Sequence, residues 1–198
     1  MEDRRKLIID AGLAILREEG LPGFTQPRIA ARTGLRQSHL TYYYPTRTDL
    51  LVAVARAAVE IQAANAKAMA DRIATVDQAA EVISAGTARH ENTRILLALC
   101  EAAEREPQVR MLFNALADGA VGEVTALLAR LGLPASQAHA DIIHALFIGL
   151  SITHLATGRA EGQSRSKAAL DVLFALFGTK GQGPAGRGRG RRRQIAVS

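Results

Sequence analysis

The first fifty residues interrupt a helical pattern at three closely spaced points, and this punctuation constrains the fold more than any bulk property. Leu7/Ile8, Ala11, Ile15 and Leu16 recur at helical spacing until Gly20, Pro22 and Gly23 end the segment. Thr25 suits the cap of a second, short helix through Ile29 and Ala30 that stops at Thr33-Gly34. A third short helix follows from about Gln37 to Tyr44, and Pro45 terminates it. Three short helices with a glycine turn between the second and third form a helix-turn-helix. Gly34 supplies the turn, and Ala30 and Ala31 are small enough for the second and third helices to cross closely. Ile29, Leu35 and Leu40 then point inward, with Ile8, Ala11, Leu16 and Phe24, as a small core.

The rest of the chain continues in helices. Thr46 caps a long one from Arg47 to about Ile73, roughly 40 Å at ~1.5 Å per residue. Further helices are expected over Asp77–Ala88, Arg94–Arg105, Val109–Leu131, Ser136–Ala156 and Ser166–Phe177, with breaks at Glu106-Pro107, Gly132–Pro134 and Thr157–Arg165. No strand pattern intervenes, so the expected class is all-α with about nine helices. Three regions are expected: a DNA-binding head over 1–50, a helical body over 51–177, and a disordered Gly/Arg-rich basic tail over 178–198.

Charge supports that division. The chain carries a formal +6, but its last 21 residues hold six bases and no acid. The first fifty residues carry eight bases against six acids, whereas 51–177 carry eleven against thirteen. A near-neutral body with a positive N-terminal end suits a protein that presents one end to a polyanion. The surface left outside the small core holds Arg36, Gln37, Ser38, His39, Tyr42 and Tyr43, with no acid between Glu19 and Asp49. Hydrogen-bonding and aromatic side chains without carboxylates are what a phosphate-facing surface requires.

The stretch FTQPRIAARTGLRQSHLTYYYPTRTDLL resembles the signature of the TetR family. It has a threonine opening the second helix, Ile-Ala, Gly-hydrophobic, an aromatic cluster in the recognition helix, a proline turn, a basic residue, an acid and Leu-Leu. The resemblance covers about the first fifty residues; the remainder agrees in helix number and length. It implies a DNA-binding transcriptional regulator, a ligand-released repressor acting as a homodimer on a palindromic operator. Thr25, Gln26 and the start of their helix are implied to hold a phosphate. Tyr43 and Arg47 are implied to grip the backbone on the far side, and Tyr42 to share that contact. Arg28, Arg36, Gln37, Ser38 and His39 are the candidates for base edges, since Arg matches guanine and Gln adenine in the major groove. Two positions depart from the signature: Thr41 replaces the usual tyrosine, and Pro27 places a residue with no N–H in the first turn of the second helix.

In the body, Ile142–Ala156 and Ala168–Phe177 are apolar on nearly every side, and a helix without a polar face needs cover all round. A second copy of the last two helices supplies that cover as a four-helix interface. Leu97, Cys100, Met111, Phe113, Leu116 and Phe147 are the candidate lining of a pocket for a small apolar or aromatic effector. The same residues also suit a plain core, with Cys100 a small core residue rather than a redox sensor. His139, His144 and His154 share one helix at intervals that do not stack as i, i+4 ligand pairs, so no metal or other cofactor is expected. No run approaches the ~20 apolar residues of a membrane span. One cysteine and the absence of a signal-peptide order at the start suit the cytoplasm, with no membrane partner. The alternatives are a DNA-binding regulator with no effector, or a helical-bundle enzyme. The enzyme lacks the Glu-x-x-His spacing, nucleophile–base pair and phosphate loop it would need.

Overall fold

The computed structural model describes residues 2–179, and in them every regular element is α-helical. Helices α1 (Glu2–Gly23), α2 (Gln26–Thr33) and α3 (Gln37–Tyr43) form the head. α4 (Arg47–Asp71) joins it to a body of α5 (Val76–Thr87), α6 (His90–Arg105), α7 (Pro107–Arg130), α8 (Gln137–Thr157) and α9 (Gly162–Thr179). The all-α class and the helix-turn-helix head are as the sequence indicates. Gly20 breaks α1 at a left-handed φ of 69°, after which one more turn runs to Gly23. Gly34 stands at the α2 C-cap with φ 70°, where a β-carbon would strain the backbone. Helix ends otherwise differ from the expected ones by a residue or two, with two larger exceptions. α6 starts at His90, a turn earlier than Arg94, because Glu91 sits in a first turn that favours an acid. α9 starts at Gly162 and reaches Thr179, two residues beyond Phe177, so its last turn overlaps the start of the expected tail. The basic residues from Lys180 onward lie outside the described residues.

Two cores hold the molecule together. The first joins Ile8, Ile15, Leu16, Phe24, Ile29 and Leu40 of the head to Leu50, Leu51 and Val54 of α4, and continues into Ile95, Leu99 and Val109. Head and body are therefore one continuous packing unit through α1, α4 and α6. The second core unites Ile73, Ile83, Leu128, Ile143, Leu170 and Phe174 across the end of α4 and α5, α7, α8 and α9. Ala31 is exposed, so Ala30 alone provides the small contact between α2 and α3. Leu7 is likewise turned to solvent, and Ile8 takes the core position.

Two helices correct the expectation about apolar runs. α7 and α8 are long and apolar enough to cross a membrane by length and composition, with mean hydropathies of 1.3 and 1.4 over 18-residue windows. The sequence reading missed them because it counted uninterrupted runs, while small and hydroxylated residues such as Gly119, Ser151 and Thr153 interrupt the run with little effect on mean hydropathy. Only 17% of each window is buried within the single chain. The uncovered part of α8 is a stripe. Ile142, Ala145, Gly149 and Ala156 are exposed and Ile152 half-buried, at alternating spacings of three and four. α9 adds Ala168, Val172, Ala175 and Leu176, all exposed.

Candidate nucleic-acid interface

The head exposes one continuous surface built from the start of α2, the α2–α3 turn and the outer side of α3. Leu40 is fully buried and fixes the roll of α3, so Arg36, Gln37, Ser38, His39 and Tyr42 face outward together. Tyr42 is 76% exposed, an unusual cost in solvated aromatic surface for a group with no binding role. Its ring meets Tyr43 edge-to-face at 5.2 Å. Tyr43 is half-buried against the first core and carries the Arg5 guanidinium at 5.7 Å over its ring. Arg5 was not among the sequence candidates, because nothing in its spacing relates α1 to α3. Tyr44 packs inward, and its burial raises the phenol pKa, an effect partly opposed by Arg5.

Four arginines around this surface, Arg28, Arg32, Arg36 and Arg47, differ in what already holds them. Arg28 is ion-paired with Glu19. Arg32 forks onto Glu18 through two bonds of 2.6 and 2.7 Å, which holds the Glu18 carboxyl below its usual pKa. Arg47 donates its Nε to the Phe24 carbonyl at 3.0 Å and lies over the Phe24 ring, tying α4 to the α1–α2 loop. Among the described residues only the Arg36 side chain of these four has no ion pair or hydrogen bond. Neutralised arginines can exchange a carboxylate for a phosphate, but an uncommitted guanidinium does so without first breaking a pair.

Helix ends position these side chains. Thr25 caps α2, its hydroxyl accepting from the Arg28 N–H at 3.4 Å, with Pro27 in the first turn. Gln26 donates to the Tyr44 carbonyl at 3.1 Å and so binds the start of α2 to the end of α3. Thr46 and Asp49 form a reciprocal capping box at the start of α4. Of the ten sequence candidates, Arg36, Gln37, Ser38, His39 and Tyr42 therefore form an open cluster. Thr25, Gln26, Arg28, Tyr43 and Arg47 border it with their side chains already engaged.

The candidate effector residues are not gathered. Leu97 and Met111 are exposed, Met111 by 73%. Cys100 is on the outer side of α6, not in a core, because Ile95, Ala98, Leu99 and Ala102 take the buried face. Partial burial, and then the Glu104 carboxylate, raise its thiol pKa, so the thiol is not activated. Phe113 packs partly on the first core and Phe147 on the second, while Leu116 lines a groove between α4 and α7. The histidines of α8 separate as well. His139 bonds Ser136 at 2.6 Å and meets the Phe177 ring, while burial lowers the His144 pKa against the raising effect of Asp141. His154 packs edge-to-face on His90, 4.8 Å between centroids. No group of three or more potential metal ligands occurs among the described residues.

Comparison with known proteins agrees with this architecture. Residues 8–54 match the profile of bacterial regulatory proteins of the tetR family. Residues 70–178, more than half of the chain, match a tetracyclin repressor-like C-terminal domain. No curated protein sequence matches the chain significantly. Among solved structures, a transcriptional regulator from Rhodococcus sp. Rha1 superposes with a TM-score of 0.75 at 16% identity, over 89% of this chain and 96% of that one. A transcriptional regulator from Saccharomonospora viridis, in complex with choline, gives 0.76 at 16% identity, over 88% and 97%. The multidrug binding protein EbrR, complexed with ethidium, gives 0.65 at 25% identity, over 86% and 98%. With both family domains present in order and the helix-turn-helix surface exposed, the chain belongs to the TetR family of bacterial transcriptional regulators, and is a DNA-binding regulator rather than an enzyme.

Proposed function

We propose that the protein is a repressor that binds a palindromic operator as a homodimer and is released by a small-molecule effector. The observation that carries the DNA-reading part is the open cluster Arg36, Gln37, Ser38, His39 and Tyr42 on a head without an acid between Glu19 and Asp49. Arg36 and Gln37 address base edges, Ser38 and His39 add shorter contacts, and Tyr42 and Tyr43 support the backbone. Arg28, expected from sequence at a base edge, is paired with Glu19 and is assigned here, with Thr25, Gln26 and Arg47, to the phosphates bordering the groove, and Arg5 extends the positive rim beside Tyr43. Exchange of the Glu19 and Phe24 partners for phosphate costs part of what Arg28 and Arg47 gain, so they contribute less than Arg36 does.

Dimerisation follows from the uncovered stripe of α8 and the outer side of α9. Ile142, Ile152, Val172 and Leu176 bring large apolar side chains, and Ala145 and Gly149 let two backbones approach. Two copies of this helix pair bury the stripe in a four-helix interface, and two-fold symmetry sets the two recognition helices on successive turns of one duplex face. The cover is thus a second copy in the cytoplasm, where the DNA lies, and not a bilayer. The effector is a small apolar or aromatic molecule held in the body. EbrR, which takes up ethidium, proflavin and imidazole on the same fold, supports such a role for this body.

Selection of bound duplexes from a random pool, with the mass of the free protein measured by sedimentation, tests the reading. A two-fold symmetric consensus and a dimer are expected. An asymmetric consensus from a monomeric protein overturns it.

A further inference from the structure

The head and the end of α9 lie at opposite ends of the body. α4 leaves the head at Arg47 and runs for 25 residues, about 37 Å at ~1.5 Å per residue. α7 lies beside it over that length. Near the head the Thr48 hydroxyl donates to the Glu106 carboxylate at 3.1 Å. At the other end the Arg130 guanidinium donates to the Ala70 and Ile73 carbonyls at 2.6 and 3.2 Å. Ile73 belongs to the second core, and so do Leu170, Phe174 and Phe177 of α9. Phe177 also meets the ring of His139, in the first turn of α8. α9 ends two residues later, at Thr179, so the chain leaves the body at the end away from α3.

Nineteen residues follow Thr179, and six of them are bases with no acid among them. Five are arginines, Arg187, Arg189, Arg191, Arg192 and Arg193, with Gly188 and Gly190 between the first three. The body cannot neutralise them. Residues 51–177 hold eleven bases against thirteen acids, and Asp71 and Asp171 are already paired with Lys67 and Lys167. A block of like charge at one end of a near-neutral body is met by a polyanion. Arginine suits forked contacts to phosphate oxygens, and the glycines put no side chain between backbone and ligand. Position decides which stretch of polyanion is met. Arg193 stands 14 residues beyond Thr179, at most about 50 Å of fully extended chain. Only a nearly straight path back along α4 brings it level with α3, so the duplex under the head is the harder one to reach. We propose that residues 187–193 bind a second stretch of duplex DNA through its phosphates, without regard to sequence, while the head holds the first. Once the head is bound, a neighbouring segment of the same DNA is present at high local concentration, which favours it over other polyanions. The site needs neither an effector nor a symmetric operator, and so stands beside the repressor reading.

A duplex of random sequence is sparsely immobilised, saturated with the full chain, washed, and offered a second, labelled duplex at low salt. The wild type is expected to capture it. Capture is expected to weaken with salt by about 0.9 in log–log slope per phosphate contacted, up to about 4.5 for five arginines. The comparison is a full chain carrying Arg187→Gln, Arg189→Gln, Arg191→Gln, Arg192→Gln and Arg193→Gln together. These positions belong to neither core, so helicity, melting temperature and retention on the first duplex are expected to persist. Capture of the second duplex is expected to fall at least tenfold. Equal capture by both forms overturns the site, because the two heads of a dimer then account for the bridge. A wild type that holds the first duplex and captures no second one also overturns it. Anionic phosphatidylserine vesicles are offered in a parallel arm, and retention of vesicles in place of the duplex overturns the assignment to DNA. A chain that captures through these arginines but selects no symmetric consensus refutes the repressor alone, so the two readings fail separately.

Discussion

Glycine-to-alanine substitution at two helix-interior positions gives opposite signs if the packing of head on body is as described. Gly12 lies in α1 where α4 crosses it. A β-carbon there stands 2.6 Å from Val54 Cγ2 and 3.2 Å from Phe24 Cε2, both in the first core. Val54 and Phe24 are fully buried and have no free space to retreat into. Forcing a methyl group into such a core costs about 1–3 kcal/mol, whereas alanine gains about 1 kcal/mol over glycine in a helix interior. Gly12→Ala is therefore expected to destabilise by about 1 kcal/mol net. Gly122 of α7 is exposed and its β-carbon meets nothing within 4 Å, so only the helical gain remains and Gly122→Ala stabilises by about 0.5–1 kcal/mol. Urea unfolding at one fixed protein concentration measures both. Val54→Ala supplies the internal control, because it removes the two methyl groups nearest the new one. Combined with Gly12→Ala it is expected to show a favourable coupling of about 1 kcal/mol. Stabilisation by Gly12→Ala equal to that of Gly122→Ala would refute the close crossing of α1 and α4.

Further outcomes test the other surfaces. Gln37→Ala is expected to relax the preference at one base pair, by about 1–3 kcal/mol of discrimination, with little loss on random DNA; equal losses on selected and random duplexes contradict its base-reading role. Ile142→Glu places a carboxylate on the exposed stripe of α8 and is expected to shift sedimentation toward the monomer without loss of helicity. The His144 pKa is lowered by burial, so below the ordinary histidine value the unfolded chain binds the proton that the folded one resists. Stability is accordingly expected to fall as pH drops from neutral through 6.5 and to level off below the folded pKa. His144→Leu should flatten that part of the profile, and a profile unchanged by the substitution contradicts the cause.

The head was legible because its determinants are local. Thr25, Gly34, Pro45 and Thr46 set helix ends within a few residues of themselves, and Leu40 alone decides which side of α3 is free. Even there, the engagement of Arg28 by Glu19, of Arg47 by the Phe24 carbonyl and of Tyr43 by Arg5 required the fold. The body was legible as helices but not as contacts. α6 and α7 carry apolar residues on several sides, so periodicity does not say which of Leu97, Leu99 and Cys100 turns inward. The answer lies in the docking of α6 on α1 and α7, which buries Leu99 and leaves the other two outside. The pair His90–His154 and the ties Thr48–Glu106 and Arg130–Ala70 join residues 58 to 64 positions apart, where spacing carries no signal.

The binding of the purified, folded protein to double-stranded oligonucleotides across a salt series bears most directly on the head as a groove-reading surface. Binding that is tight at low salt is expected, with log affinity falling linearly against log salt by about 0.9 per phosphate contacted. The slope should be shallower in Arg47→Ala, which removes one of the phosphate contacts. Absence of binding to every duplex at low ionic strength, with helicity and cooperative unfolding intact, would contradict the assignment of that surface.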